Sequence, residues 1–164
     1  MVYGMPMHGP FLTGHVDHVL DDKGRLTLPA GFREPFIGES YFVPSSHGDP
    51  YVRLYDVESW RVFDEKHLEP LDDFTDREAD AQIGDVYEGM YRVVPDKQGR
   101  VVVPQEFVEV LGLEGRVRIT GHRDHLRLWH PPAHDRYRAA RAAKLAAAGE
   151  AAAGDRASGV KDAS

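Results

Sequence analysis

Cysteine is absent from all 164 residues, which excludes disulfides and thiolate-held zinc and fits a reducing compartment. Long apolar runs are also missing. No stretch approaches the ~18–20 apolar residues of a membrane helix, and the start MVYGMPMHGPFLTGH has no basic opening and no apolar core of signal length. A cytoplasmic protein with no membrane partner is expected. There is no glycine-rich phosphate loop, and the polar loop Ser45–Ser46–His47–Gly48 has no nucleophile elbow around it. Neither an enzyme, a cofactor nor a small-molecule ligand is expected. Basic charge is in deficit as well, with 20 Lys and Arg against 27 Asp and Glu and a net charge of −7. That deficit is local. Residues 56–88 hold twelve acids and three bases, an excess of nine negative charges, so the remainder of the chain is net +2. The local field decides a phosphate contact, and the flanking regions remain free to form a basic face.

What the chain does have is one segment used twice. Residues 21–32 read DDKGRLTLPAGF and residues 96–107 read DKQGRVVVPQEF. At an offset of 75 residues, five of the twelve positions are identical: Asp21/Asp96, Gly24/Gly99, Arg25/Arg100, Pro29/Pro104 and Phe32/Phe107. Leu26/Val101 and Leu28/Val103 match in kind. Such self-similarity predicts two pseudo-symmetric halves.

Each half reads as strand, tight turn, strand, short helix and strand pair. Residues 15–20 and 25–28 are expected as strands around the turn Asp21–Gly24, followed by a helix opened by Pro29. Residues 40–43 and 51–55 form the next pair. In the second half, 91–94 and 100–103 flank the turn Pro95–Gly99, Pro104 opens a helix that Gly112 ends, and 116–121 with 126–130 form a hairpin around Arg123–Asp124. Arg127–Leu128–Trp129 echoes Arg53–Leu54–Tyr55. Between the halves, Asp56 is placed to cap one helix, and Thr75 with Glu78 matches a capping box for another. Pro131–Pro132 read as a break, followed by an alanine-rich, partly exposed helix to about residue 148 and a disordered end.

The domain plan is therefore a loose N-terminus over 1–10, a first repeat over 11–64, an acidic helical connection over 65–89, a second repeat over 90–138, and an alanine-rich extension with a tail over 139–164. The fold class is mainly β with short helices.

The repeated turn carries polar residues as well as core positions. Asp21 and Asp96 can accept backbone N–H groups across their own turns, which orders the tips and aims Lys23, Arg25, Lys97 and Arg100. Gln98 adds an amide able to meet a phosphate or a base edge. Arginine on an ordered hairpin suits phosphate and the paired acceptors of guanine. One such turn by itself reads more readily as an ordinary charged tip, with its arginine paired to its aspartate. Repetition of the whole motif in register favours a shared function, because an exposed ion pair stabilises by less than ~1 kcal/mol.

DDKGRLTLPAGFR and DKQGRVVVPQEF, with LYDVESW and LWH after them, resemble the paired signatures of the MraZ family, relatives of the AbrB-type swapped-hairpin regulators. The resemblance covers roughly residues 11–138. It implies two AbrB-like (SpoVT-AbrB) halves forming a double-split β-barrel, ring-shaped homo-oligomers, and a nucleoid-associated DNA-binding repressor. Its target would be repeated double-stranded DNA sites upstream of the division and cell-wall gene cluster. The DNA-binding residues it implies are Asp21, Lys23, Arg25, Asp96, Lys97 and Arg100. The longer N-terminus, the acidic middle and the alanine-rich end depart from the family pattern. The competing reading is a ring-forming or antitoxin-like interaction module with the same hairpins buried in a protein contact. His122, His125, His130 and His134 fall within thirteen residues, but the prolines and the lack of cysteine argue for surface histidines over a metal site.

Overall fold

A computed structural model describes residues 11–161, with side chains to residue 157. The expected loose segment 1–10 and the last three residues of the expected tail lie outside the described residues. The order of elements is β1 (His15–Val19), β2 (Arg25–Thr27), α1 (Ala30–Arg33), β3 (Ser40–Pro44), β4 (Tyr51–Asp56), α2 (Val57–His67), α3 (Arg77–Gly89), β5 (Tyr91–Val93), β6 (Arg100–Val102), α4 (Gln105–Leu111), β7 (Arg116–His122), β8 (His125–Trp129) and α5 (Pro131–Lys161). The protein is mainly β with helices, as expected from its sequence.

The strands form a six-stranded sheet in the order β1-β7-β8-β4-β3-β5 and a separate two-stranded ribbon, β2-β6. The order is palindromic with respect to the repeat: β1 answers β5, β7 answers β3, and β8 answers β4. A local twofold runs through the β4–β8 seam and the ribbon centre. At the seam, Arg53 lies opposite Arg127. In the ribbon, Leu26 lies opposite Val101, with Arg25 opposite Val102 and Thr27 opposite Arg100.

The two halves interlock rather than stand side by side. The sequence reads β1 and β2 as neighbours about one turn; the structure keeps the turn but gives the strands different partners. β1 pairs with β7 of the other half, where Asp17 and Arg118 sit opposite and form an ion pair at 2.6 Å. β2 pairs with β6, and only an isolated bridge, Leu20–Leu26, joins β2 to the end of β1. Burial explains the exchange. Leu26 and Leu28 from one copy, and Val101 and Val103 from the other, all point inward and are almost fully buried. They meet Phe42, Leu54, Ile119, Leu126 and Leu128 of the sheet in a single core. Full burial of each aliphatic side chain is worth about 1.5–3 kcal/mol. A three-residue strand paired only within its own hairpin could not collect that burial.

The opposite face of the sheet is covered by α2 and α3. Val43, Tyr55, Trp60 and Leu68 make a second cluster there, with Tyr41, Phe63 and Val86 packed against it. Asp56 caps α2 as expected, accepting from the Ser59 N–H at 3.3 Å. The cap of α3 is one residue later than the capping box implies. Asp76 accepts from the Glu78 and Ala79 N–H groups, while the Thr75 hydroxyl donates to Asp72 instead.

The chain divides into two compact units after Pro131. The second holds α5 from Pro132 onward. The two prolines open this helix instead of breaking the chain, because the first turn has no use for the N–H groups that proline lacks. Alanine, the strongest helix former, then carries it to Lys161, well beyond the expected end near residue 148. Among the described residues, no helix is long and apolar enough to cross a membrane.

Candidate nucleic-acid interface

Both copies of the turn are built by the same set of hydrogen bonds. In the first, the Asp21 N–H donates to the Arg25 carbonyl at 3.0 Å and the Gly24 N–H donates to the Asp21 carbonyl at 3.0 Å. Asp21 Oδ1 accepts from the backbone N–H groups of Lys23 at 3.0 Å and Arg25 at 2.8 Å, and Oδ2 accepts from Arg25 Nε at 2.7 Å. In the second, Asp96 Oδ1 accepts from the Gln98 and Arg100 N–H groups, each at 2.9 Å, and Oδ2 accepts from Arg100 Nε at 2.7 Å. Gly24 and Gly99 both take φ of 75°, the left-handed region that this turn requires.

The turns also lock onto each other. The Val103 N–H donates to the Gly24 carbonyl and the Leu28 N–H donates to the Gly99 carbonyl, both at 2.8 Å, so each tip extends the ladder of the other copy. Backbone donation by Arg25 and by Arg100, with smaller help from the guanidinium groups, holds the carboxyls of Asp21 and Asp96 below the usual carboxylate range. Both aspartates are therefore fully ionised at neutral pH, and each fixes its arginine through Nε. Among the described residues, the two Nη groups of Arg25 and of Arg100 make no hydrogen bond and remain available to a ligand.

Strand geometry then decides where these side chains go. Residues directly opposite across an antiparallel pair share a face, and faces alternate along each strand. Leu26 and Val101 face the core, so Arg25, Thr27, Arg100 and Val102 share the outer face of the ribbon. Arg25 and Arg100 are diagonal neighbours there, about 7–8 Å apart at the backbone. The structure thus brings together two arginines that lie 75 residues apart in sequence. It does not bring the remaining tip residues together. Lys23 stands at one end of the ribbon, with Lys97 and Gln98 at the other, all exposed.

The two ends are not identical. Arg33 reaches from α1 over the second tip, donating from Nε and Nη2 to the Leu28 carbonyl at 3.1 and 2.8 Å. A Cβ at Gly99 would lie 2.3 Å from its Nε, whereas the nearest atom to a Cβ at Gly24 is the Val103 carbonyl at 3.6 Å. Arg33, Thr27 and Val102 adjoin this candidate surface, and reading the turn alone misses them. The period of two from Arg25 and Arg100 points to Thr27 and Val102 once the strands are paired. Nothing in the sequence points to Arg33.

The histidines take a different role. His125 is buried on β8, with Nδ1 at 2.7 Å from Asp124 Oδ1, and its Nε2 accepts from Arg127 Nε at 3.2 Å. Burial pushes its pKa down, and the neutral ring satisfies both neighbours. Among the described residues, no group of three or more His, Asp or Glu side chains is placed to hold a metal.

Comparison with known proteins gives the family of the chain. The family model described as "MraZ protein, putative antitoxin-like" matches residues 86–156, which include the second turn. The transcriptional regulator MraZ of Caldicellulosiruptor saccharolyticus is 36% identical over 118 residues, which is 72% of this chain and 80% of that protein. The chain belongs to the MraZ family. The MraZ regulators of Thermomicrobium roseum, 34% identical over 118 residues, and Acetivibrio thermocellus, 35% identical over 116 residues, match to similar extent, covering 72% and 71% of this chain and 80% and 78% of their own lengths. MraZ membership accords with the doubled motif.

Proposed function

We propose that this protein is a DNA-binding transcriptional regulator that contacts double-stranded DNA through the outer face and tips of the β2–β6 ribbon. The observation that carries the reading is the shared outer face of Arg25 and Arg100, each half-buried and held through Nε by an ionised aspartate, with no hydrogen bond from its Nη groups among the described residues. Held donors of this kind suit guanine edges and phosphates. Lys23, Lys97 and Gln98 at the two ends supply backbone contacts that position the ribbon, and Asp21 and Asp96 orient the arginines. The names of the MraZ relatives support regulation of transcription as the outcome.

The finer reading is a repressor of the division and cell-wall gene cluster, assembled as a homo-oligomeric ring. One ribbon makes few phosphate contacts and binds weakly at cellular salt. A ring presents many ribbons, so several repeated promoter sites are engaged together and effective concentration supplies the affinity. Promoter occlusion then suffices for repression.

The test is binding of the purified protein to DNA upstream of its own gene at several salt concentrations, beside Arg25→Ala/Arg100→Ala. Specific, salt-sensitive binding that the double variant loses while still assembling supports the reading. The competing interaction module is favoured by one feature, the exposed Ile37 beside Phe36 and Pro95 in a cavity of about 600 Å³ next to the second tip. Loss of assembly in the double variant, or no DNA binding at any salt, would select that module instead.

A further inference from the structure

Four side chains make the outer face of the ribbon, and only one position differs between the copies. Arg25 and Arg100 are identical under the repeat; Thr27 and Val102 are not. Val102 is 55% exposed, packs in neither core, and stands directly opposite Arg25. Thr27 is half-buried and stands directly opposite Arg100. The ribbon is therefore twofold in its arginines and asymmetric in the residue beside each arginine. Charge differs in the same sense: the first tip is neutral over Asp21, Asp22, Lys23 and Arg25, while the second carries +1 over Asp96, Lys97, Gln98 and Arg100.

We propose that Thr27 and Val102 are base-reading residues that distinguish the two halves of the DNA site and fix the direction in which the chain lies on it. This rests on the ribbon being the DNA-contacting surface. The major groove admits a two-stranded β-ribbon. Opposed side chains are about 5 Å apart, about one and a half times the 3.4 Å rise between bases along one strand. Each arginine and its opposed neighbour thus fall on the same or adjacent base pairs. Valine has no donor or acceptor and matches only the C5-methyl group of thymine. Threonine keeps one methyl but adds a hydroxyl that both donates and accepts, so it tolerates polar edges as well as a thymine methyl. A guanine contact beside a thymine methyl is expected at the Arg25–Val102 end, and a guanine contact beside a polar base edge at the Arg100–Thr27 end. Arginines alone would let the chain bind in either orientation; this pair does not.

The experiment replaces each thymine of the upstream DNA, one at a time, with deoxyuridine, which removes the C5-methyl group and nothing else. Wild-type protein is expected to lose about fourfold in affinity at a thymine in each bound repeat, the value of one buried methyl group. Val102→Ala is expected to be indifferent at that position, with its salt dependence unchanged. Thr27→Val is expected to acquire a preference for thymine at the twofold-related position. If Val102→Ala keeps the full uracil pattern and Thr27→Val leaves base preference unaltered, while Arg25→Ala/Arg100→Ala still abolishes binding, base reading by Thr27 and Val102 is wrong and DNA contact by the ribbon stands. If the wild-type protein binds no DNA at any salt, both fall together.

Discussion

Gly24 and Gly99 occupy the same place in two copies of one turn, yet substitution is expected to cost them differently. Alanine at either must adopt φ near 75°, a strain of about 1–2 kcal/mol for an L-residue. At Gly99 the new methyl also displaces Arg33, which gives up its bonds to the Leu28 carbonyl, worth roughly another 1 kcal/mol. Urea denaturation is expected to show Gly99→Ala as the more destabilised of the two. Arg33→Ala placed beneath it should shrink the difference, because the two residues share one space. The turn aspartates set a pH dependence. Their folded-state pKa values lie below 3.8, the ordinary value, so their contribution is present in full above that value and is lost as pH falls through the lower folded values. Denaturant midpoints measured from pH 6 to pH 3 should fall less steeply in Asp21→Asn/Asp96→Asn than in the wild type. The identity of these residues was legible from the repeat. The asymmetry was not, since Arg33 reaches the second tip through space, and its counterpart under the repeat is Val108.

The ribbon is the element on which both halves depend. Leu26 is fully buried at its centre, opposite Val101. Leu26→Ala is expected to cost about 2–5 kcal/mol, and its effect should not add to that of Val101→Ala, since each shapes the other's cavity. Val102→Ala, one residue away but on the outer face, should change stability by less than about 0.5 kcal/mol. Thermal unfolding of the three variants checks the face assignment independently of any ligand. The strands themselves were readable from alternation and turn residues, and the α2 cap from Asp56. Strand partners were not readable. Alternation states which side of a strand is apolar, but not which other strand covers it, so β1 and β2 looked like a simple hairpin. The α3 cap shows the same limit on a smaller scale: Thr75 and Asp76 are both competent caps, and the hydroxyl of Thr75 is taken by Asp72.

For the molecule as a whole, a net charge of −7 is compatible with a DNA contact because the acids concentrate in residues 56–88, on and around α2 and α3, whereas the ribbon belongs to the other side of the sheet. Salt dependence offers a count of the phosphate contacts. Each one lost should reduce the slope of log K against log salt by about 0.9. Lys23→Gln and Lys97→Gln are each expected to lower the slope by roughly that amount per bound chain, uniformly across DNA sequences, as read from binding titrations between low and physiological salt. A variant that changed base preference without changing the slope would mark a base contact instead.

By itself, the sequence determined the doubled motif, the turn chemistry of Asp21–Arg25 and Asp96–Arg100, the mainly β class and the resemblance to MraZ, because each of these is written in neighbouring residues or in a repeat of them. Tertiary structure alone decided that β2 pairs with β6, that the arginines share the outer face of the ribbon, and that Thr27 and Val102 stand beside them. Those outcomes depend on which buried surfaces cover one another across 75 residues of chain, and burial is a property of the whole core rather than of any one segment.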